Sequence, residues 1–218
     1  MNKRLVIALA LLVLFSTYKP QKLSLNGKFN IEEIKIENNF ILKDIEIKNN
    51  LNFLYDKNLF FFKTSSIEEV LKQLTFIESF EVKKIYPNKL KIKIFEKKPI
   101  AVLQYKKKKF YISENYNLID YVDVENYRYL PEVFGNKNNF RTFHENIKKI
   151  KFPTDLIKKY YSYETNRWDL ETYEKKVIKL PTKDYIKSLE NFMYLSKEDN
   201  FKKYNIFDYR INNQLILK

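Results

Sequence analysis

Residues 86–104 read YPNKLKIKIFEKKPIAVLQ, and how they are read decides the fold. Tyr86-Pro87-Asn88 is a turn signal, because proline fixes φ and asparagine bonds to its own local backbone. Leu90, Ile92 and Ile94 then alternate with Lys91 and Lys93. A period of two predicts a strand with one face in a core and its lysine face in water. Glu96-Lys97-Lys98-Pro99 breaks the pattern, since proline lacks the ladder N–H and restricts the residue before it. A second apolar run, Ile100 to Gln104, follows at once. The stretch reads as the last strand of one module, a seam over Glu96 to Pro99, and the first strand of the next.

Upstream, FNIEEIKIEN puts Ile34 and Ile36 on one strand face. Asn38 and Asn39 are placed to cap a short helix carrying Leu42 and Ile45. NLFFFK (58–63) reads as extended. SSIEEVLKQL carries Ile67, Val70, Leu71 and Leu74 at helical spacing, with Ser65 and Glu68, or Ser66 and Glu69, as a capping box. Phe80 and Val82 mark another alternating strand. The order strand, helix, helix, strand, strand is an α+β module over 29–99, with both helices on one face of a small sheet.

Downstream, 100–218 reads as a mostly antiparallel β domain with flanking helices. Ile100–Tyr105, Phe110–Ser113 and Asn117–Tyr121 are short strands, and the run Lys106 to Lys109 is a solvated hairpin tip. Arg141 to Ile150 is helical, and His144 on it is structural or solvated. A β region over Ile157 to Leu180 contains Thr165-Asn166-Arg167-Trp168-Asp169-Leu170. Thr182 can cap a helix with Ile186, Leu189, Phe192 and Met193 inward. IFDYRINNQLILK closes the chain, with a turn expected at Asn212-Asn213.

At the N-terminus, Lys3 and Arg4 precede an apolar stretch over 5–18, with a linker over 19–28. A 14-residue helix spans about 21 Å, against a hydrocarbon core of ~30 Å. Two readings stand: a cleaved signal peptide, or an uncleaved anchor with Lys3, Arg4, Lys19 and Lys22 reaching the interfaces. The sequence after the apolar stretch lacks a small-x-small cleavage site and so favours the anchor, with 1–4 as a cytoplasmic tail. Either reading exports the remainder.

Composition excludes several function classes. Only two glycines, Gly27 and Gly135, are present, which argues against glycine-rich phosphate loops. Cysteine is absent and His144 is the single histidine, so thiolate metal sites and disulfides are impossible and no metal or cofactor is expected. No GxSxG or HExxH motif occurs, and the adjacent pairs Glu32-Glu33 and Glu68-Glu69 do not converge on a substrate. No enzyme and no small-molecule substrate is expected. The net charge of +14 comes from 36 lysines and five arginines over 27 acids. An AT-rich genome or attraction to an anionic surface would each produce it. Scarce arginine and the lack of a reading motif argue against nucleic acid.

The motifs, taken in order, resemble the FtsQ/DivIB family of bacterial division proteins. Asn58-Leu59-Phe60, the helix ending in Leu74, Phe76-Ile77, Val82 to Pro87 and Leu90-Lys91-Ile92 are similar to that family's POTRA domain. Glu96-Lys97-Lys98-Pro99-Ile100-Ala101 is like its Glu-x-x-Pro-x-Ala. Leu130-Pro131 to Gly135 is like its Leu-Pro-x-x-x-Gly. Arg167-Trp168 and Asp208-Tyr209-Arg210-Ile211 are like its arginine-tryptophan strand and its terminal Asp-Leu-Arg-Tyr strand. The chain departs from the family at Asn38-Asn39, where Gly-Asn is usual, and in its short tail. The resemblance implies a non-catalytic, single-pass inner-membrane scaffold of the divisome, with its bulk in the periplasm at the septum. It implies FtsB- and FtsL-like partners at the C-terminal domain and an FtsK-like partner at the POTRA domain. The rival reading is a POTRA component of outer-membrane protein assembly or transport.

Physical reasoning locates the binding edge in the same region. A closing hairpin leaves its last strand at a sheet edge, open to strand addition. Arg167, Trp168, Asp208, Tyr209, Arg210, Ile211 and Asn213 are the candidate partner-binding residues. Either arginine suits a partner carboxylate, and either aromatic suits an anchor.

Overall fold

The computed structural model describes residues 3–17, 28–211 and 214–218. Helix α1 (Lys3–Thr17) covers the apolar stretch, and its 15 residues reach about 22 Å. Among the described residues, no helix is long and apolar enough to cross a membrane. Tyr18 and the expected linker up to Gly27 lie outside the described residues. The chain divides into two compact units, one drawn from 1–38, 43–71 and 80–94, the other from 39–42, 72–79 and 95–218.

Over 29–97, β1 (Glu33–Glu37), α2 (Asp44–Asn50), α3 (Ser65–Leu71), β2 (Ile77–Ile85) and β3 (Lys89–Glu96) follow the expected order. The sheet runs β1-β3-β2, with β1 and β3 parallel and Ile34 opposite Leu90, Ile36 opposite Ile92. Ile47, Leu51, Leu54, Ile67 and Leu71 are buried, as are Leu90, Ile92 and Ile94 on β3. The lysine face is wet, as the alternation requires.

Several local expectations are corrected. Asn38 sits at φ 64 and donates to Ile94 O at 2.8 Å, and α2 starts only after Lys43. Ile45 is consequently exposed and Ile47 takes its place in the core. NLFFFK is not extended: one bridge joins Asn58 to Asn30, after which Phe61 and Phe62 turn back onto Asn58 O. The Ser66 hydroxyl donates to Lys63 O at 2.8 Å instead of accepting from the helix, and α3 stops at Leu71, short of Leu74.

In the second unit the strands are β4 (Pro99–Tyr105), β5 (Lys108–Ser113), β6 (Leu118–Asp120), β7 (Glu132–Phe134), β8 (Ile157–Ser162), β9 (Trp168–Thr172), β10 (Val177–Lys179), β11 (Ile206–Asp208) and β12 (Ile216–Leu217). They form one sheet in the order β12-β11-β10-β9-β8-β7-β4-β5-β6. Hairpins supply the antiparallel pairs. The pairs β4/β7, β7/β8 and β10/β11 are parallel, the last two through crossovers carrying α4 (Lys137–Lys149) and α5 (Tyr185–Leu195). Phe140, Phe143 and Ile147 of α4 and Leu189 and Phe192 of α5 share one core with Ala101, Leu103, Val133, Tyr160, Leu170, Ile178 and Phe207. Both helices therefore cover the same face of the sheet.

Two turns explain motif residues. Gly135 stands at φ +140, where a Cβ would lie 2.5 Å from Ser162 Cβ on the neighbouring strand, so only glycine fits. The Glu96 carboxylate accepts the backbone N–H groups of Phe40, Ile41 and Leu42 at 2.9–3.1 Å. Helix α5 begins after Asp184 at φ 56, so Thr182 is not its cap. His144 is buried on α4, with its Nδ1 2.9 Å from the Tyr116 hydroxyl.

Candidate protein-binding edge

The edge formed by β11 and β12 takes its geometry from antiparallel pairing. Lys218 exchanges both main-chain bonds with Ile206, at 3.0 and 3.1 Å, and Ile216 lies opposite Asp208. In such a ladder the intervening residue pairs without hydrogen bonds. Leu217 opposite Phe207 is that residue, and its N–H and C=O point away from β11 to the side on which, among the described residues, no strand pairs.

Strand alternation then sorts the side chains. Phe207 and Tyr209 turn inward; Asp208 and Arg210 face the other way. Asp208 accepts from Arg210 Nε at 2.8 Å, from its terminal nitrogen at 2.6 Å and from its backbone N–H at 3.1 Å. Those charge-assisted bonds hold the Asp208 carboxyl below the usual carboxylate range and raise Arg210 further. The Arg210 side chain is still 44% exposed, and Ile211 beside it is exposed.

The outward row continues across the sheet. Asp208 lies opposite Lys179, Lys179 opposite Asp169, and Asp169 opposite Tyr161. Burial pushes the Asp169 carboxyl upward, and the Arg167 charge partly offsets it. Tyr163 donates to Asp169 Oδ2 at 3.1 Å, while the Arg167 guanidinium lies 4.1 Å from the centre of the Tyr163 ring. Arg167 Nε and Asp169 Oδ1 face each other at 3.5 Å, both buried and without a hydrogen bond.

The structure therefore separates the sequence-predicted residues into two sets. Arg167, Asp208 and Arg210 share the outward face. Trp168 is buried, stacked on Phe143 at 4.6 Å. Tyr209 is also buried and donates to Asn191 Oδ1 at 3.0 Å, and burial raises its phenol above the ordinary value. Asn213 and the expected turn with Asn212 lie outside the described residues. Sequence reasoning missed Asp169 and Lys179, which join the two arginines into one charged row; the register that unites them is a long-range property. It also missed a cleft of about 400 Å³ beside the edge, lined by Lys183, Lys187, Asn191, Tyr209, Ile211 and Gln214, among others. An open main-chain edge flanked by arginine and lysine is chemically suited to an extended acidic segment.

Comparison with known proteins agrees with this fold. Residues 29–97 match the family model described as POTRA domain, FtsQ-type. The chain is 27% identical over 194 residues to the cell division protein FtsQ of Rickettsia typhi (strain ATCC VR-144 / Wilmington), covering 87% of this chain and 73% of the relative. It is 27% identical over 194 residues to the FtsQ of Rickettsia prowazekii (strain Madrid E), covering 87% and 72%. The FtsQ of Rickettsia bellii (strain RML369-C) is 27% identical over 195 residues, again covering 87% and 72%. Residues 29–97 thus form a POTRA module of the FtsQ type, and the similarity to cell division proteins named FtsQ extends over most of the chain.

Proposed function

We propose that this chain is a non-catalytic scaffold of the bacterial divisome. In this reading the apolar stretch 5–18 anchors it in the inner membrane, with 1–4 cytoplasmic, 19–28 a linker, and the 29–99 and 100–218 domains in the periplasm at the septum. The C-terminal domain takes FtsB- and FtsL-like partners by strand addition, and the POTRA domain receives an FtsK-like protein. The observation that carries the reading is the open side of β12, where the Leu217 main chain is directed outward beside a half-exposed Arg210. Main-chain bonds supply affinity and the charged rim supplies register. Trp168 and Tyr209 brace the edge from the core side.

The experiment is co-purification from membranes together with imaging of a fluorescent fusion. Deletion of 205–218 and Arg210→Glu are expected to lose FtsB- and FtsL-like proteins. Leu217→Pro is the sharper variant: it removes the outward N–H while leaving the β11 ladder intact, so it is expected to lose the partners in a chain that still folds. A fusion that fails to collect at midcell, or undiminished recovery with Leu217→Pro, would sink the proposal.

A further inference from the structure

We propose that an aromatic and lysine surface on the 29–97 module docks onto anionic lipid. The surface lies within the first unit. Phe60 stacks on Tyr86 at 4.7 Å and meets Phe29 edge-on at 4.8 Å. Phe60 and Tyr86 are each about half exposed, and Phe61 is 84% exposed. Lysines frame the rings: Lys84 lies 4.4 Å from the Phe62 ring centre and Lys57 4.9 Å from that of Phe53. Lys57 and Lys63 also line a groove of about 510 Å³ with Phe61 and Phe62, in which Glu69 is the one carboxylate.

Rings left exposed to water, next to ammonium groups on aliphatic stems, match the interfacial layer of a bilayer. Aromatic rings sit there at headgroup depth and lysines meet lipid phosphates. The occupant follows from charge and tether. Three lysines against one glutamate favour an anionic surface. The chain also enters the module at this surface, where Phe29 O accepts from Leu59 N–H at 2.7 Å. Only residues 18–27 separate Phe29 and its neighbour Lys28 from α1, and ten residues reach at most about 36 Å. The inference rests on the reading of α1 as a membrane anchor, which would hold this surface at high effective concentration against lipid. Part of the lysine excess then serves to seat the module.

The chain lacks cysteine, so Phe61→Cys places a single thiol for an environment-sensitive fluorophore. The full chain is reconstituted into vesicles of phosphatidylglycerol with phosphatidylethanolamine, or of phosphatidylcholine, each carrying a headgroup-level nitroxide quencher. Tyr194→Cys, on an exposed residue of the second unit, is the control. The label at 61 is expected to be blue-shifted and quenched in anionic vesicles only, and the label at 194 to be unaffected. Each lysine near an anionic surface is worth about a fivefold change in occupancy. Lys57→Gln with Lys63→Gln should therefore lower docking about 25-fold. A chain that co-floats with anionic vesicles while the label at 61 stays unquenched overturns the proposal and leaves the anchor reading intact. Equal quenching in phosphatidylcholine, or protection of the thiol only by added protein, also overturns it. Failure to co-float removes the anchor reading, and the proposal falls with it.

Discussion

Acidification is expected to destabilise the second unit through one side chain. His144 is buried, stacked on Phe140 at 5.1 Å with its Nδ1 against the Tyr116 hydroxyl at 2.9 Å. Burial, helped by the Lys148 charge, lowers its pKa from 6.5 to about 4. Between those values the unfolded chain takes up a proton that the folded chain refuses, so stability falls as the pH falls. It is complete above 6.5, lost progressively down to about 4, and level below that. An interval of about 2.5 pH units at about 1.4 kcal/mol per unit gives a loss of about 3 kcal/mol, most of it by pH 4.5. Because the chain has one histidine, its imidazole proton resonance needs no assignment, and its titration can be followed directly in folded and urea-unfolded protein. Urea midpoints at pH 7 and pH 4.5, compared with those of His144→Gln, remove the background from carboxylates. A folded-state resonance titrating near 6.5, or the same pH dependence in the glutamine variant, refutes the reasoning.

Two further outcomes follow from motif residues. Gly135→Ala should cost about 2–4 kcal/mol, from a strained φ and an overlap with Ser162 Cβ. Adding Ser162→Gly should recover the overlap but not the backbone strain, read as a partial return of the urea midpoint. Glu96→Ala removes a charged acceptor shared by three N–H groups and should cost about 2–3 kcal/mol. Its direct readout is loss of hydrogen-exchange protection at Phe40, Ile41 and Leu42, and unchanged protection there would remove the role assigned to Glu96.

Local pattern and long-range register explain what was legible in the sequence. Leu90, Ile92 and Ile94 announced β3 because one face of that strand is wet and the other is not. On β9, Trp168, Asp169 and Leu170 are all buried, so alternation is erased and Asp169 gave no sign of facing a different environment from its neighbours. The hairpin at Lys106-Lys107 was legible as a turn, although both residues stand at positive φ, 45 and 66, where Asn-Gly would be expected. The arginines of the candidate edge could be named from motif likeness. Their union through Lys179 and Asp169 depends on α5 carrying the chain across to a parallel β11, and no local spacing encodes that. Helix starts failed where the backbone, not a side-chain cap, set the first turn, as at Lys43 and Asp184.

The Glu-x-x-Pro-x-Ala run can now be understood position by position, and each residue answers a different physical demand. Glu96 ends β3 and turns its carboxylate onto three successive amides of the 39–42 loop, giving all three N–H groups one acceptor. A neutral side chain of the same length would offer one acceptor oxygen in place of two, and no charge to strengthen the bonds. Pro99 opens β4, the position within a sheet where a missing N–H is tolerated, and its register against β5 shifts before Ala101. Ala101 is fully buried within the core that α4 and α5 close, so a larger side chain there would overpack it. The lysines at 97 and 98 fall on the variable positions. Lys97 donates to Thr75 O at 2.7 Å through its ammonium group and to Phe76 O through its backbone N–H, while Lys98 is exposed. A run first recognised by its break in alternation is thus fixed by three separate constraints: an anion for a loop of amides, a strand start without a donor, and a small side chain under two helices.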